Sequence, residues 1–95
     1  GPAIEVYTAP APGLVTLYQF YIEADINHIM TNNPAEAKDY PKSLMGYCSQ
    51  NSGPLGSKPV YRYYNAFTKD HFVTVNPGGE NLDGYVYEQI VCYVP

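Results

Sequence analysis

The sequence predicts a small all-β domain of two pseudo-symmetric repeats, each a hairpin, a short helical turn and a closing strand. Three observations carry that expectation. An offset of 43 residues lays one half of the chain on the other without a gap. The apolar runs are short and rich in tyrosine and β-branched residues, which suit a pleated, half-buried surface. Pro, Gly, Asn and Asp punctuate those runs at close intervals. With 95 residues and 10.6 kDa there is material for a single core, so residues 1–95 are read as one domain with no room for a Rossmann or barrel scaffold.

In the repeat register Leu17-Tyr18-Gln19-Phe20-Tyr21 falls on Val60-Tyr61-Arg62-Tyr63-Tyr64, and Asn27-His28-Ile29-Met30-Thr31 falls on Asp70-His71-Phe72-Val73-Thr74. Asn33-Pro34 falls on Asn76-Pro77, and both copies end alike, in Leu44-Met45-Gly46-Tyr47-Cys48 and Ile90-Val91-Cys92-Tyr93-Val94. Residues 1–14 form an N-terminal closing strand and linker, because Ile4-Glu5-Val6-Tyr7-Thr8 repeats that ending; this strand is expected to complete the sheet by joining the last one. Residues 15–48 form the first repeat. Its opening run, 17–22, is a strand; Glu23-Ala24-Asp25-Ile26-Asn27 is a turn whose Asp and Asn bond their own backbone; a strand led by His28 follows. Asn33-Pro34-Ala35-Glu36 then combines an N-cap residue with proline at the first helical position. Residues 49–58 are a loop by composition, and residues 59–95 repeat the pattern, with Gly78 and Gly79 weakening the second helical turn.

Charge narrows the function. Only 15% of residues are charged and the net charge is −4, so the five scattered basic residues, Lys38, Lys42, Lys58, Arg62 and Lys69, make no footprint for nucleic acid. No apolar run is long enough to span a bilayer, so no membrane insertion is expected. Gly1-Pro2 reads as the scar of a cleaved tag, and the missing signal-peptide pattern therefore says nothing about compartment.

The second repeat, from Val60-Tyr61-Arg62-Tyr63-Tyr64-Asn65 through Asp70-His71-Phe72 and Thr74 to Gly84-Tyr85-Val86-Tyr87-Glu88, resembles a tyrosine-rich repeat with a Tyr-Asn...Gly-Asp-His-Phe-Tyr-Thr signature. That repeat belongs to a domain-of-unknown-function family recurring in tandem in secreted proteins. The first repeat matches it more loosely, with Ile22 at the turn asparagine and Asn27 at the aspartate. The resemblance implies an extracellular accessory or binding module, and it carries over no catalytic residue.

The chemistry-bearing residues are few. His28 and His71 share one repeat position; each either bonds a turn backbone group and fixes the bend, or contacts a polar ligand. A metal needs three or four converging ligands, and nothing is spaced like HExxH or paired CxxC, so neither metal nor cofactor is expected. Cys48 and Cys92 end the two closing strands; they are read as a disulfide between the copies, with a buried thiol pair and a nucleophile as the rival readings. Tyr7, Tyr18, Phe20, Tyr47, Tyr61, Tyr63, Phe72 and Tyr93 recur at equivalent strand positions and are assigned to core packing. Tyr40, Tyr64, Tyr85 and Tyr87 are left for the surface, where rigid rings offer contact area at small entropic cost.

No paired acids, active-cysteine context or phosphate cradle supports catalysis, so the chain is expected not to be an enzyme. The expected role is a secreted carbohydrate-binding, lectin-like module with two similar weak sites. Its ligand contacts are Asn27, His28, Asn33, Asn65, Asp70, His71 and Asn76, flanked by Arg62 and Tyr64. The alternative is a protein-interaction or self-assembly module that binds an extracellular surface protein or forms a homodimer.

Overall fold

The computed structural model describes residues 4–23 and 27–95; the expected turn at residues 24–26 lies outside the described residues. Among the described residues six strands form one antiparallel sheet: β1 (Leu14–Ile22), β2 (Asn27–Thr31), β3 (Lys42–Ser49), β4 (Lys58–Asn65), β5 (Asp70–Thr74) and β6 (Tyr85–Val94). Their spatial order, β2-β1-β3-β6-β4-β5, reads the same from either edge once the copies are exchanged, so the repeat in the sequence is a pseudo-two-fold in space. Short 3-10 turns at Pro34–Ala37 and Pro77–Gly79 precede the closing strands. Asn33 caps the first through its side chain, which accepts the Ala35 N–H at 3.1 Å. Asn76 makes no such bond in the glycine-weakened second.

The copies meet twice. At the centre of the sheet β3 and β6 share the rung Ser49–Tyr93, beside the Cys48–Cys92 disulfide with its Cα atoms 5.9 Å apart. Around that junction lies the main core of Leu17, Cys48, Val60, Val91, Cys92 and Val94, drawn from both copies. Each of the aliphatic side chains there contributes about 1.5–3 kcal/mol by leaving water. The second meeting is at the sheet's outer edges. The sheet curls until β2 and β5 touch; among the described residues side chains, and no backbone ladder, join them. Closure covers two edges that would otherwise template pairing with other chains.

Two expectations change. Among the described residues the N-terminal segment does not pair with β6. Tyr7 forms one bridge with Tyr47 on β3, and Ile4 and Val6 reach the main core through their side chains. The segment passes so close over β3 that a Cβ on Gly46 would lie 2.5 Å from Val6 and 2.8 Å from the Tyr7 carbonyl oxygen, and the prolines at 10 and 12 offer no further ladder donors. The aromatic framework is also not the core. Of the eight rings assigned to packing only Phe20 is fully buried, with Ile29 and Ala37 in a smaller cluster; the other seven are half-buried. Valine, leucine and cystine fill the interior, while the tyrosines plate it and keep their hydroxyls near water or a partner, as Tyr7 does on the Leu55 carbonyl at 2.7 Å.

Candidate functional site at the seam

Where β2 meets β5, polar residues from both copies interlock. Arg62, on β4, is 3% exposed and flanked along the strand by Val60, Tyr61, Tyr63 and Tyr64, and a buried guanidinium needs every donor occupied. Its Nε donates to Glu88 on β6 at 2.9 Å. Nη1 and Nη2 grip the two carboxylate oxygens of Glu36, at 3.1 and 2.8 Å, the bidentate arrangement that favours arginine over lysine. Nη1 also donates to the Met30 carbonyl at 2.8 Å, which ties the edge strand β2 to the other copy. Thr31 donates its hydroxyl to Glu36. Hydrogen bonding from Arg62, reinforced by Thr31 and opposed by burial, holds the Glu36 carboxyl below its ordinary value. Among the described residues no buried side-chain nitrogen or oxygen lacks a partner.

His71, leading β5, continues the chain of contacts. Its backbone N–H donates to Asn27 Oδ1 at 3.0 Å, which fixes the orientation of the Asn27 amide and places Nδ2 against His71 Nδ1 at 2.7 Å. An amide nitrogen only donates, so Nδ1 carries the lone pair and the ring proton sits on Nε2, facing Glu88 Oε1 at 3.3 Å. Asn27 thus accepts only a neutral imidazole. Burial pushes the His71 pKa down; Arg62 adds to that, against the opposing carboxylates of Glu88 and Asp70.

The equivalent His28 is exposed, yet both imidazoles lie on a tyrosine ring in nearly the same pose. Tyr21–His28 ring centroids are 4.6 Å apart at 36°, and Tyr64–His71 centroids are 4.5 Å apart at 37°. These pairs are direct cross-strand neighbours in each hairpin, Tyr21 with His28 and Tyr64 with His71. Between them a shallow pocket of about 280 Å³ is lined by Gln19, His28, Met30, His71, Phe72 and Val73. Two equivalent pairs, His28 with His71 and Met30 with Val73, face each other there, so the pocket sits on the pseudo-two-fold itself.

Of the residues singled out from sequence, Asn27, His28, Arg62, Tyr64 and His71 come together at this seam. Asp70 lies beside it and accepts the Tyr85 hydroxyl at 2.5 Å, which raises the Tyr85 pKa. Asn65 is buried in an Asx turn, its side-chain oxygen accepting the N–H groups of Phe67 and Thr68 at 3.0 and 3.2 Å. Asn33 and Asn76 stand apart, at the starts of the two 3-10 turns. Sequence reasoning passed over Glu36, Glu88, Gln19 and Met30. A lone arginine inside an aromatic strand of a weakly charged chain was the available signal that carboxylates had to converge on it.

Fold and seam together define a disulfide-linked, pseudo-symmetric β domain with a surface pocket on its axis. The chain belongs to the family described as a domain of unknown function (DUF5648), whose profile matches residues 1–95. No curated protein and no solved structure matches it. Among the described residues no helix is long and apolar enough to cross a membrane, and no three His, Cys, Asp or Glu side chains are grouped to hold a metal ion.

Proposed function

We propose that this is a secreted, non-catalytic binding module whose ligand is a carbohydrate. The supporting observation is the seam pocket, flanked by two imidazole-on-tyrosine shoulders, one from each repeat. A pyranose has an apolar C–H face that lies on such a ring and hydroxyls that bond imidazole and amide groups, here His28 and Gln19. The two similar weak sites read from the sequence become two shoulders of one shallow groove. A non-catalytic role is supported by His71: both of its ring nitrogens are engaged, by Asn27 and Glu88, which leaves no free atom for acid–base work. Secretion is supported by the Cys48–Cys92 disulfide and by the resemblance to a tyrosine-rich repeat of secreted proteins.

The test is a broad glycan array followed by titration of the strongest hit. Saturable binding that weakens in His28→Ala and Tyr64→Ala supports the reading; an array without signal overturns it. A second reading, docking of a protein partner, is favoured by Phe67, which is 92% exposed at the tip of the β4–β5 hairpin. Light scattering that shows concentration-dependent dimers lost in Phe67→Ser, with no glycan signal, selects it.

A further inference from the structure

A surface cavity of about 770 Å³ lies at the open end of the first repeat and is lined by Tyr21, Ile22, Glu23, Asp39, Tyr40 and Pro41. Tyr21 and Ile22 end β1 and Glu23 follows it; the other three lie between the first 3-10 turn and β3. Tyr40 is held in place twice: its ring stacks on buried Phe20, centroids 5.8 Å apart at 27°, and its N–H donates to the Ala37 carbonyl at 3.0 Å. Tyr21 is positioned by His28. The lining therefore offers two oriented rings and two carboxylates, and among the described residues it contains no lysine or arginine. Lys42, next after Pro41, donates its ammonium to the Ala37 carbonyl at 3.2 Å, and Lys38 is not part of the lining. Ring faces and carboxylates both attract a cation that carries apolar carbon around its charge.

This cavity is not isolated. A neighbouring hollow of about 290 Å³ shares Tyr21 and Pro41 with it, and shares Gln19 and His28 with the seam pocket. The three form one track from the pseudo-two-fold to the acidic end. In the second repeat the register moves by two residues after the 3-10 turn, since Tyr87 faces Tyr63 where Lys42 faces Phe20; Glu23 and Asp39 then correspond to Ala66 and Gly84, while Tyr21 and Tyr40 correspond to Tyr64 and Tyr85, so the acids and not the rings are particular to the first copy.

We infer that the acidic, tyrosine-lined end of this track binds the protonated amine of an amino sugar, so that the preferred glycan is a cationic, glucosamine-containing oligosaccharide. This rests on the carbohydrate reading of the seam. Titrations by isothermal calorimetry at pH 6, where a sugar amine is charged, compare a glucosamine oligomer with its N-acetylated counterpart of equal length. The glucosamine oligomer binds roughly tenfold more tightly at low salt, the sum of an exposed cation–π contact and exposed ion pairs. That preference disappears in Asp39→Asn combined with Glu23→Gln and is reduced in Tyr40→Ala, with melting temperatures showing that the variants stay folded. Equal binding of the two oligomers overturns the amine assignment and leaves the carbohydrate reading standing; binding of neither overturns both. Tighter binding of a lysine-rich peptide than of the glucosamine oligomer overturns the assignment in favour of a protein partner.

Discussion

The two repeats share a backbone plan and divide the chemistry between them. At matching positions the first copy carries Gln19, Asn27 and an exposed His28, and the second carries Arg62, Asp70 and a partnered His71. The second copy supplies the cation, and the first supplies the Glu36 carboxylate and the Met30 carbonyl that neutralise it. Asn27 and His71 are likewise complementary across the seam, not alike. Duplication accounts for the frame, and divergence at a few polar positions accounts for how the halves lock.

The largest change is expected at the central junction. Cys48→Ser with Cys92→Ser removes the covalent tie across a separation of 44 residues and lowers unfolding free energy by about 4 kcal/mol on the loop-entropy estimate, measured by denaturant titration. A loss below about 1 kcal/mol would mean that the shared core alone holds the copies in register. Next comes Arg62→Gln, which gives β4 the residue that β1 has at Gln19. It leaves the Met30 carbonyl and two carboxylates without their cation; because the carboxylates are a third exposed and can rehydrate, the cost is about 2–3 kcal/mol, below that of breaking a fully buried pair. Equal stability of the variant would reduce the seam to decoration.

Acid sharpens the same comparison. The His71 pKa is lowered in the folded state from 6.5, so unfolding takes up a proton in that range; stability is full above about pH 6.5 and falls as pH drops below it. Glu36, lowered from 4.5, adds a second loss in the same direction at more acid pH. Protonating His71 at Nδ1 also removes the acceptor that Asn27 uses. Chemical denaturation between pH 7.5 and 5.5 should show the decline, and His71→Gln should flatten it. The smallest effect is expected from Asn27→Asp, which copies Asp70 into the first repeat. A carboxylate in place of the amide accepts a proton at Nδ1, so NMR titration of the imidazole should show its pKa moved upward.

Much of this was legible in the sequence because it depends on local periodicity. The offset placed both hairpins, the Asn-Pro pairs marked both 3-10 turns, and matching strand ends put Cys48 and Cys92 within bridging reach. What was not legible depends on curvature. Nothing local states that β2 and β5 close on each other, so His28 and His71 read as two separate sites when they share one pocket. Glu36 and Glu88 looked like solvated acids for the same reason: their partner lies on another element of the curled sheet. The tyrosines were overassigned to the core because strand position says which face a ring occupies, not how deep that face lies.

Placing the seam pocket on the pseudo-two-fold limits what could replace either half. In an assembly made of the second repeat alone, each His71 at the axis would meet another His71, and the Asn27 that receives it would be an aspartate. The contact as it stands joins Asn27 of one copy to His71 of the other, and the positions equivalent to them carry Asp70 and an exposed His28. The groove above this join therefore presents two unlike ends and gives a bound ligand a direction.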